Sequence, residues 1–491
     1  MTLPARTQLA NEDLLPVASE QRTWNWWHIA SLWIGMAICI PTYTLASGLM
    51  ASGWTWQAAV GAVVLGNVVV LVPIALNSHA GTRYGIPFPV LARASFGVLG
   101  ANVPALLRGL VACGWFGIQT WIGGWAIYKL IEVLWPGIAT LPQILPAFVG
   151  LNTGEFLCFM IFWAMNVWIV LRGMDSIKFL ETWGSPFLLA VGAALFMWAW
   201  ARAGSLSAML QNPAVGPSGR PAVGNVFGAG LTSAVAFWGT MALSIPDFSR
   251  YARSQKDQVV GQAVGLPATM ALFAFIGAAV TNATVVIFGT RIADPVALLA
   301  RIGGPLMIML SMAGLIIATL TTNIAANIVA PANAFSNLAP HRITFKQGAM
   351  ITAVIGILML PWRLYNDAAA YIFTWLIGYG ALLGPVAGIM IADYFFVRRG
   401  ELMLNDLYKR HGAYEYARGV NWIALGALAI GVAPSLPGFV SALRGVPETG
   451  VFGTIYNWAW FVGFIMSALI YVIGMRVRRG SGEWGVVRPG G

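Results

Sequence analysis

Charge is what this sequence has least of. Asp, Glu, Lys and Arg together make up only 9% of its 491 residues, against about 25% in soluble globular domains. The deficit excludes a water-soluble enzyme, whose surface needs charge, and a disordered chain, which needs charge and low hydrophobicity. Cysteine is scarce as well. The three present, Cys39, Cys113 and Cys158, all lie in apolar runs, so no disulfide scaffold can be built from them. Motifs for metal or covalent chemistry are missing: His28, His79, His341 and His411 are scattered, and no HExxH, CxxC pair or GxSxG occurs. An intramembrane enzyme fails on the same ground, because no nucleophile–base or metal constellation lies inside an apolar run. The excess of 28 Lys and Arg over 17 Asp and Glu comes without an RNA- or DNA-binding motif, which leaves no case for a nucleic-acid partner. Glu12, Asp13 and Glu20 precede the first apolar run, unlike the basic start of a cleaved signal peptide.

What the chain does have is hydrophobicity: 58% of its residues are hydrophobic, and the mean hydropathy is +0.74. A membrane helix needs roughly 20 apolar residues. Such runs recur at 27–48, 56–78, 103–131, 155–171, 178–201, 224–246, 260–289, 305–330, 345–362, 368–392, 419–439 and 451–475. The expectation is an all-α polytopic membrane protein of twelve transmembrane helices. With the N-terminus inside, twenty-one of the 28 basic residues fall in inner loops and tails and seven in outer loops, as the positive-inside rule requires. The reading is therefore a multi-pass protein of the cell's inner (plasma) membrane, with cytoplasmic tails at 1–24 and 477–491.

Two spans carry interruptions, the first at Gly35 and Pro41 and the sixth at Gly239 and Pro246. They are five spans apart, and broken helices at matching positions of two halves point to a transporter site at a repeat interface. Gly and Pro are also common in membrane helices generally, so the pattern alone leaves both readings open.

Few charges fall deep in a span. Arg108, Glu155, Glu181, Asp247 and Asp393 lie near span ends, where anchoring at the interface is the expected role. The deep polar groups are neutral. Trp115 and Gln119 are four apart in the third span and share a helix face. A Trp plane beside a primary amide suits a flat ligand with alternating N–H and C=O groups, though both residues could equally serve helix packing. Phe237 and Trp238 stand next to the Gly239 interruption and offer a second aromatic face. In the eighth span, Thr321, Thr322, Asn323 and Asn327 place two hydroxyls and two amides within a few residues of Ala318. Hydroxyls and backbone carbonyls freed around Gly35 to Ile38 are hard donors suited to an alkali cation such as sodium. The alternative is hydrogen bonding of each Thr back to its own preceding turn. A pure facilitator or channel would have no need of such an oxygen cluster.

Several stretches in order then resemble one family. They are Ala80 to Gly97 (AGTRYGIPFPVLARASFG), Trp115 to Trp121 (WFGIQTW), Ser244 to Asp247 (SIPD), Thr322 to Asn327 (TNIAAN) and Gly384 to Phe395 (GPVAGIMIADYF). Through roughly residues 22–480 the chain resembles the nucleobase–cation symporter family, in its hydantoin, allantoin and uracil permease branch. The resemblance implies a LeuT-like fold of two inverted five-helix repeats, at 25–201 and 224–395, plus two extra helices at 418–476. It implies alternating access, no cofactor, and sodium as coupling ion, with proton coupling known among relatives. Carried over from the family's sodium-coupled hydantoin permeases, Trp115 and Trp238 would enclose the ring, with Phe237 beside them, and Gln119 and Asn327 would hydrogen-bond it. Gly35, Ile38, Ala318, Thr321 and Thr322 would hold sodium, and Leu376 would gate the site. Cys39 stands where those permeases have a Gln near the substrate, so one polar contact is lost. Thr321 replaces a Ser and Gly35 an Ala. The implied function is import of a cyclic ureide, allantoin first or hydantoin, with uracil or another pyrimidine as the alternative. The expected partners are that ligand and the bilayer, with no obligate protein partner.

Overall fold

The computed structural model describes residues 9–172, 174–210, 227–302, 304–365, 369–446 and 450–480. Among these residues the chain forms helices and no strand; the extended pairings are two isolated bridges, Trp24 with Ala252 and Ala417 with Val420. Eight helices are long and apolar enough to cross a membrane, and a bent pair, Trp26–Ala37 and Ile40–Ala51, makes a ninth. The remaining expected spans, the fifth, sixth and ninth, appear as shorter apolar helices at Leu189–Ala203, Phe227–Phe237 and Phe345–Leu358. The ninth is cut short because Leu360 adopts a left-handed backbone (φ 49°) ahead of Pro361. The last helix runs on to Gly480, past the expected boundary at 476. The expected tail beyond it at 481–491, residues 1–8, the start of the second repeat at 224–226 and the side chain of Glu181 lie outside the described residues.

The breaks in the first and sixth spans have local causes. Ile38 and Cys39 leave helical geometry (Cys39 φ −143°, ψ 162°), and Pro41 opens the second half at a position where its missing N–H costs nothing. The two halves of the first span meet at 55°. In the sixth span Phe227–Phe237 stops at Trp238 (φ −100°, ψ 12°) and resumes as Gly239–Ser244, followed by the turn Pro246–Ser249. The interruptions inferred from Gly and Pro are therefore real: the first is centred on Ile38 and Cys39, between Gly35 and Pro41, and the second on Trp238, next to Gly239.

The third span, Asn102–Leu134, and the tenth, within Tyr371–Val397, are the most deeply buried of the long helices, while the second, fourth, eleventh and twelfth turn most of their apolar surface outward. Close packing of the first span on the seventh, Gln255–Phe288, depends on glycine. A Cβ on Gly265 would lie 2.7 Å from the Ala30 carbonyl oxygen and 2.8 Å from the Trp33 Cβ.

Both described ends lie on one face, as an even number of spans demands. The Leu14 carbonyl accepts from the Tyr408 hydroxyl, and Arg478 lies over the Tyr416 ring. Residues 9–24 cross that face as a strap. Asn11 donates to the Pro340 carbonyl, Arg250 to that of Asp13, and Arg22 to that of Thr82. The charges expected to anchor at the interface are instead buried. Asp393 pairs with Arg398 at 2.7 Å and accepts from the Tyr471 hydroxyl at 2.7 Å. Asp247 caps the short helix Phe88–Phe96 through the Phe88 N–H. Arg108 is fully buried and donates to Ser244 Oγ at 2.8 Å. Glu155 is the exception, accepting from the Asn152 N–H at the start of the fourth span, Thr153–Arg172. Loops folding back over the helix ends exclude water there, which the one-dimensional position of a charge cannot reveal.

Gly265→Val should cost about 1–3 kcal/mol by overpacking and lower the thermal unfolding midpoint of the purified protein. Gly61→Val, where no neighbouring atom lies within 4 Å, should melt like the parent. Equal melting of both variants would contradict this packing.

Candidate functional site

A pocket with about 350 Å³ of space not filled by atoms lies where the two helix breaks meet the third and eighth spans. The first span contributes Met36 and Cys39, and the third Trp115 and Gln119. The sixth contributes Phe237, Trp238, Thr240 and Met241, and the eighth, Pro305–Asn327, contributes Thr322, Ala326 and Asn327. All six candidate ligand residues, Cys39, Trp115, Gln119, Phe237, Trp238 and Asn327, thus come together from four spans.

The aromatic walls hold one another at an angle. Phe237 meets Trp115 at 5.3 Å and 63° and Trp238 at 5.1 Å and 69°, and Trp33 packs edge-on to Trp238 at 5.0 Å. Such edge-to-face contacts fix the orientation of the rings. The Trp115 indole N–H donates to the Tyr379 hydroxyl at 3.3 Å, and that hydroxyl donates to the Phe237 carbonyl at 3.4 Å. The carbonyl released at the break of the sixth span is satisfied in this way.

Polar groups in the pocket are only partly satisfied. Gln119 is 3% exposed, and its Oε1 has no hydrogen-bond partner. Cys39 Sγ lies 3.2 Å from Thr42 Oγ1 on its own helix and also faces the Gln119 side chain. Asn327 donates through Nδ2 to Asn323 Oδ1 at 3.0 Å.

The candidate cation ligands fall in one neighbourhood. Thr322 Oγ1 donates to the Gly35 carbonyl across the first and eighth spans at 3.4 Å, and Thr321 Oγ1 donates to the Ala318 carbonyl at 2.7 Å. Gly35 itself is still helical, but the Cys39 N–H that would complete its turn bonds to Ala37 instead, leaving the Gly35 carbonyl to Thr322. Ile38 is the buried cap of the same half-helix. Two hydroxyls beside freed carbonyls suit a hard cation such as sodium. The Thr321 bond is also the ordinary return of a threonine to its preceding turn.

Leu376 is fully buried at the end of a π-helical turn, Ala369–Leu376, and is not among the pocket-lining residues. Tyr371, Trp375 and Tyr379 of the tenth span pack behind Trp115, their rings 6.0, 6.3 and 6.3 Å from its own, and like Leu376 they are not among the pocket-lining residues. Sequence reasoning missed this stripe, although aromatic residues four apart in an apolar run were its visible signal.

A family model described as permease for cytosine/purines, uracil, thiamine and allantoin matches residues 16–463. The chain is 41% identical to an allantoin permease of Bacillus subtilis over 96% of this chain and 94% of that one. It is 45% identical to a purine-uracil permease of Arabidopsis thaliana over 95% of this chain and 77% of that one. Among solved structures it is similar to a nucleobase-cation-symport-1 family transporter in a closed conformation with bromovinylhydantoin bound. That similarity has a TM-score of 0.78 and 28% identity, and covers 96% of each chain.

Trp115→Ala should weaken ligand binding by about 1–3 kcal/mol, the usual worth of one aromatic stack on a flat ring, or roughly five- to 150-fold in Kd. The folded protein should remain intact. Isothermal titration of the purified variant checks it, and unchanged affinity would remove Trp115 from the site.

Proposed function

The chain belongs to the family of permeases for cytosine/purines, uracil, thiamine and allantoin, and on that premise we propose that it imports a cyclic ureide, allantoin or hydantoin, together with sodium. The observation that carries the ligand class is the pocket itself. Trp115 and Trp238 wall a narrow space, and the unpartnered Gln119 Oε1 and the amide of Asn327 line it. A flat ring with N–H groups flanked by carbonyls fills the space and satisfies the amides, and buried amides are costly when left unpaired.

Sodium is supported by the bridge from Thr322 to the Gly35 carbonyl. A cation drawn to these oxygens holds the broken first span against the eighth, and so couples its own binding to the wall of the ligand pocket. Alternating access then follows as one repeat moves relative to the other around a fixed midplane site. The membrane is the plasma (inner) membrane, with both tails cytoplasmic, as the distribution of basic residues supports.

A second ligand, uracil, is favoured by the 45% identity to the purine-uracil permease. Five- and six-membered cyclic ureides present the same donor and acceptor edges to the amides.

Uptake into proteoliposomes of labelled allantoin, hydantoin, uracil and cytosine should depend on an imposed sodium gradient. Uptake driven by a proton gradient alone would overturn the sodium assignment and leave the ring pocket standing. Thr322→Ala should reduce the response to the sodium gradient, and a full response in that variant would sink the cage.

A further inference from the structure

Accepting the ring pocket proposed above, we infer that two further asparagines, Asn323 and Asn166, act as positioning residues. They lock the Asn327 amide so that the site selects a ring offering an N–H at that edge over an isosteric ring offering a lone pair. The direction of each amide follows from groups that can only accept. Asn166, fully buried in the fourth span, donates through Nδ2 to the backbone carbonyl of Phe162 at 2.8 Å. A carbonyl has no proton to give, so the Asn166 oxygen must face the other way, toward Asn323 Nδ2 at 3.2 Å.

Asn323 is held on two more sides. Its Nδ2 also lies 3.3 Å from the Phe116 carbonyl and 3.1 Å from Thr120 Oγ1. The Thr120 hydroxyl already donates to the Phe116 carbonyl at 2.6 Å, so toward Asn323 it too can only accept. Rotating the Asn323 amide by half a turn would set its oxygen against three acceptors. The Asn323 oxygen is therefore committed to Asn327 Nδ2 at 3.0 Å. With one N–H committed to Asn323, the Asn327 amide cannot turn over; its second N–H and its oxygen remain, and among the described residues no hydrogen bond reaches that oxygen. Gln119 Oε1, on the third span, is a second unpartnered acceptor lining the same pocket.

A free asparagine would rotate to suit either kind of edge. This one cannot, because its choice was made three amides away at a backbone carbonyl. At the fixed position of the Asn327 oxygen a ring N–H gains a hydrogen bond, whereas a ring lone pair set against that oxygen meets a second acceptor. Sites built around a required hydrogen bond reject the mismatched ligand strongly, because a buried polar group is left unpaired.

The experiment measures affinity by quenching of intrinsic tryptophan fluorescence in the full-length purified protein. Two pairs of rings of matched outline are used: uracil against cytosine, and hydantoin against oxazolidine-2,4-dione. In the hydantoin pair one ring N–H is exchanged for a ring oxygen; in the pyrimidine pair the ring N–H becomes a lone pair while the neighbouring carbonyl becomes an amine. The parent protein should prefer the N–H member of at least one pair by roughly tenfold or more. Asn323→Leu should bring that ratio to within about threefold, and Asn166→Leu should lower it by a smaller factor. A merely structural lesion would weaken both members alike and leave the ratio unchanged, and that result would overturn the inference. So would a parent protein that binds the rings without preferring either member of a pair. Should Asn323→Leu fail to fold, Asn323→Ala removes the same amide without adding bulk and is read in the same way. If the parent protein binds none of the four rings, the pocket reading fails; binding with an unmoved ratio in the variants sinks the relay alone.

Discussion

Backbone groups that lose their helical partners inside a membrane have to find others, because no water is there to take them. The rest of this structure depends on how the two broken spans meet that demand. The Gly35 carbonyl accepts from Thr322 of the eighth span, and the Pro41 carbonyl from the Tyr371 hydroxyl of the tenth. The Phe237 carbonyl accepts from Tyr379 of the tenth. These bonds come from the eighth and tenth spans, so breaking a helix ties several elements together at the point where the pocket opens. The pocket is the geometric consequence of these repairs.

The neighbouring polar groups serve the same economy. The chain from Asn166 through Asn323 to Asn327 satisfies every amide nitrogen it contains with an oxygen, starting from a main-chain carbonyl. Polar groups deep in an apolar interior are tolerated when each is paired. Gln119 Oε1 is left without a partner at the pocket, and in the proposed function a ligand completes its pairing.

On the face that carries the termini, charge is buried and paired. Asp393, Arg398, Tyr471 and Ser95 bind the short helix Phe88–Phe96 to the ends of the tenth and twelfth spans. A buried ion pair of this kind contributes little net stability over an apolar contact, and its value lies in fixing which parts meet. The strap at residues 9–24 bridges loops from both repeats through polar contacts, and it also buries Leu9, Ala10 and Leu14 in the main apolar core.

Hydropathy, span count and the two interruptions were legible because each is a local property of the chain: twenty apolar residues fill a bilayer, and Pro removes a hydrogen bond wherever it falls. Trp115, Gln119 and Thr322 stood out because a polar or aromatic group at helical spacing within an apolar run is costly unless it serves something. The sequence alone thus determined a polytopic helical transporter and the side chains that converge on its centre. Tertiary structure decided the rest. It turned Asp247, Asp393 and Arg108 from interfacial charges into buried ones, because loops fold over the helix ends. It placed Tyr371, Trp375 and Tyr379, and not Leu376, beside Trp115, because a π-helical turn resets the face the tenth span presents. It also fixed which way the Asn327 amide points, a choice made by Asn166, 161 positions away in the chain and joined to it only through space.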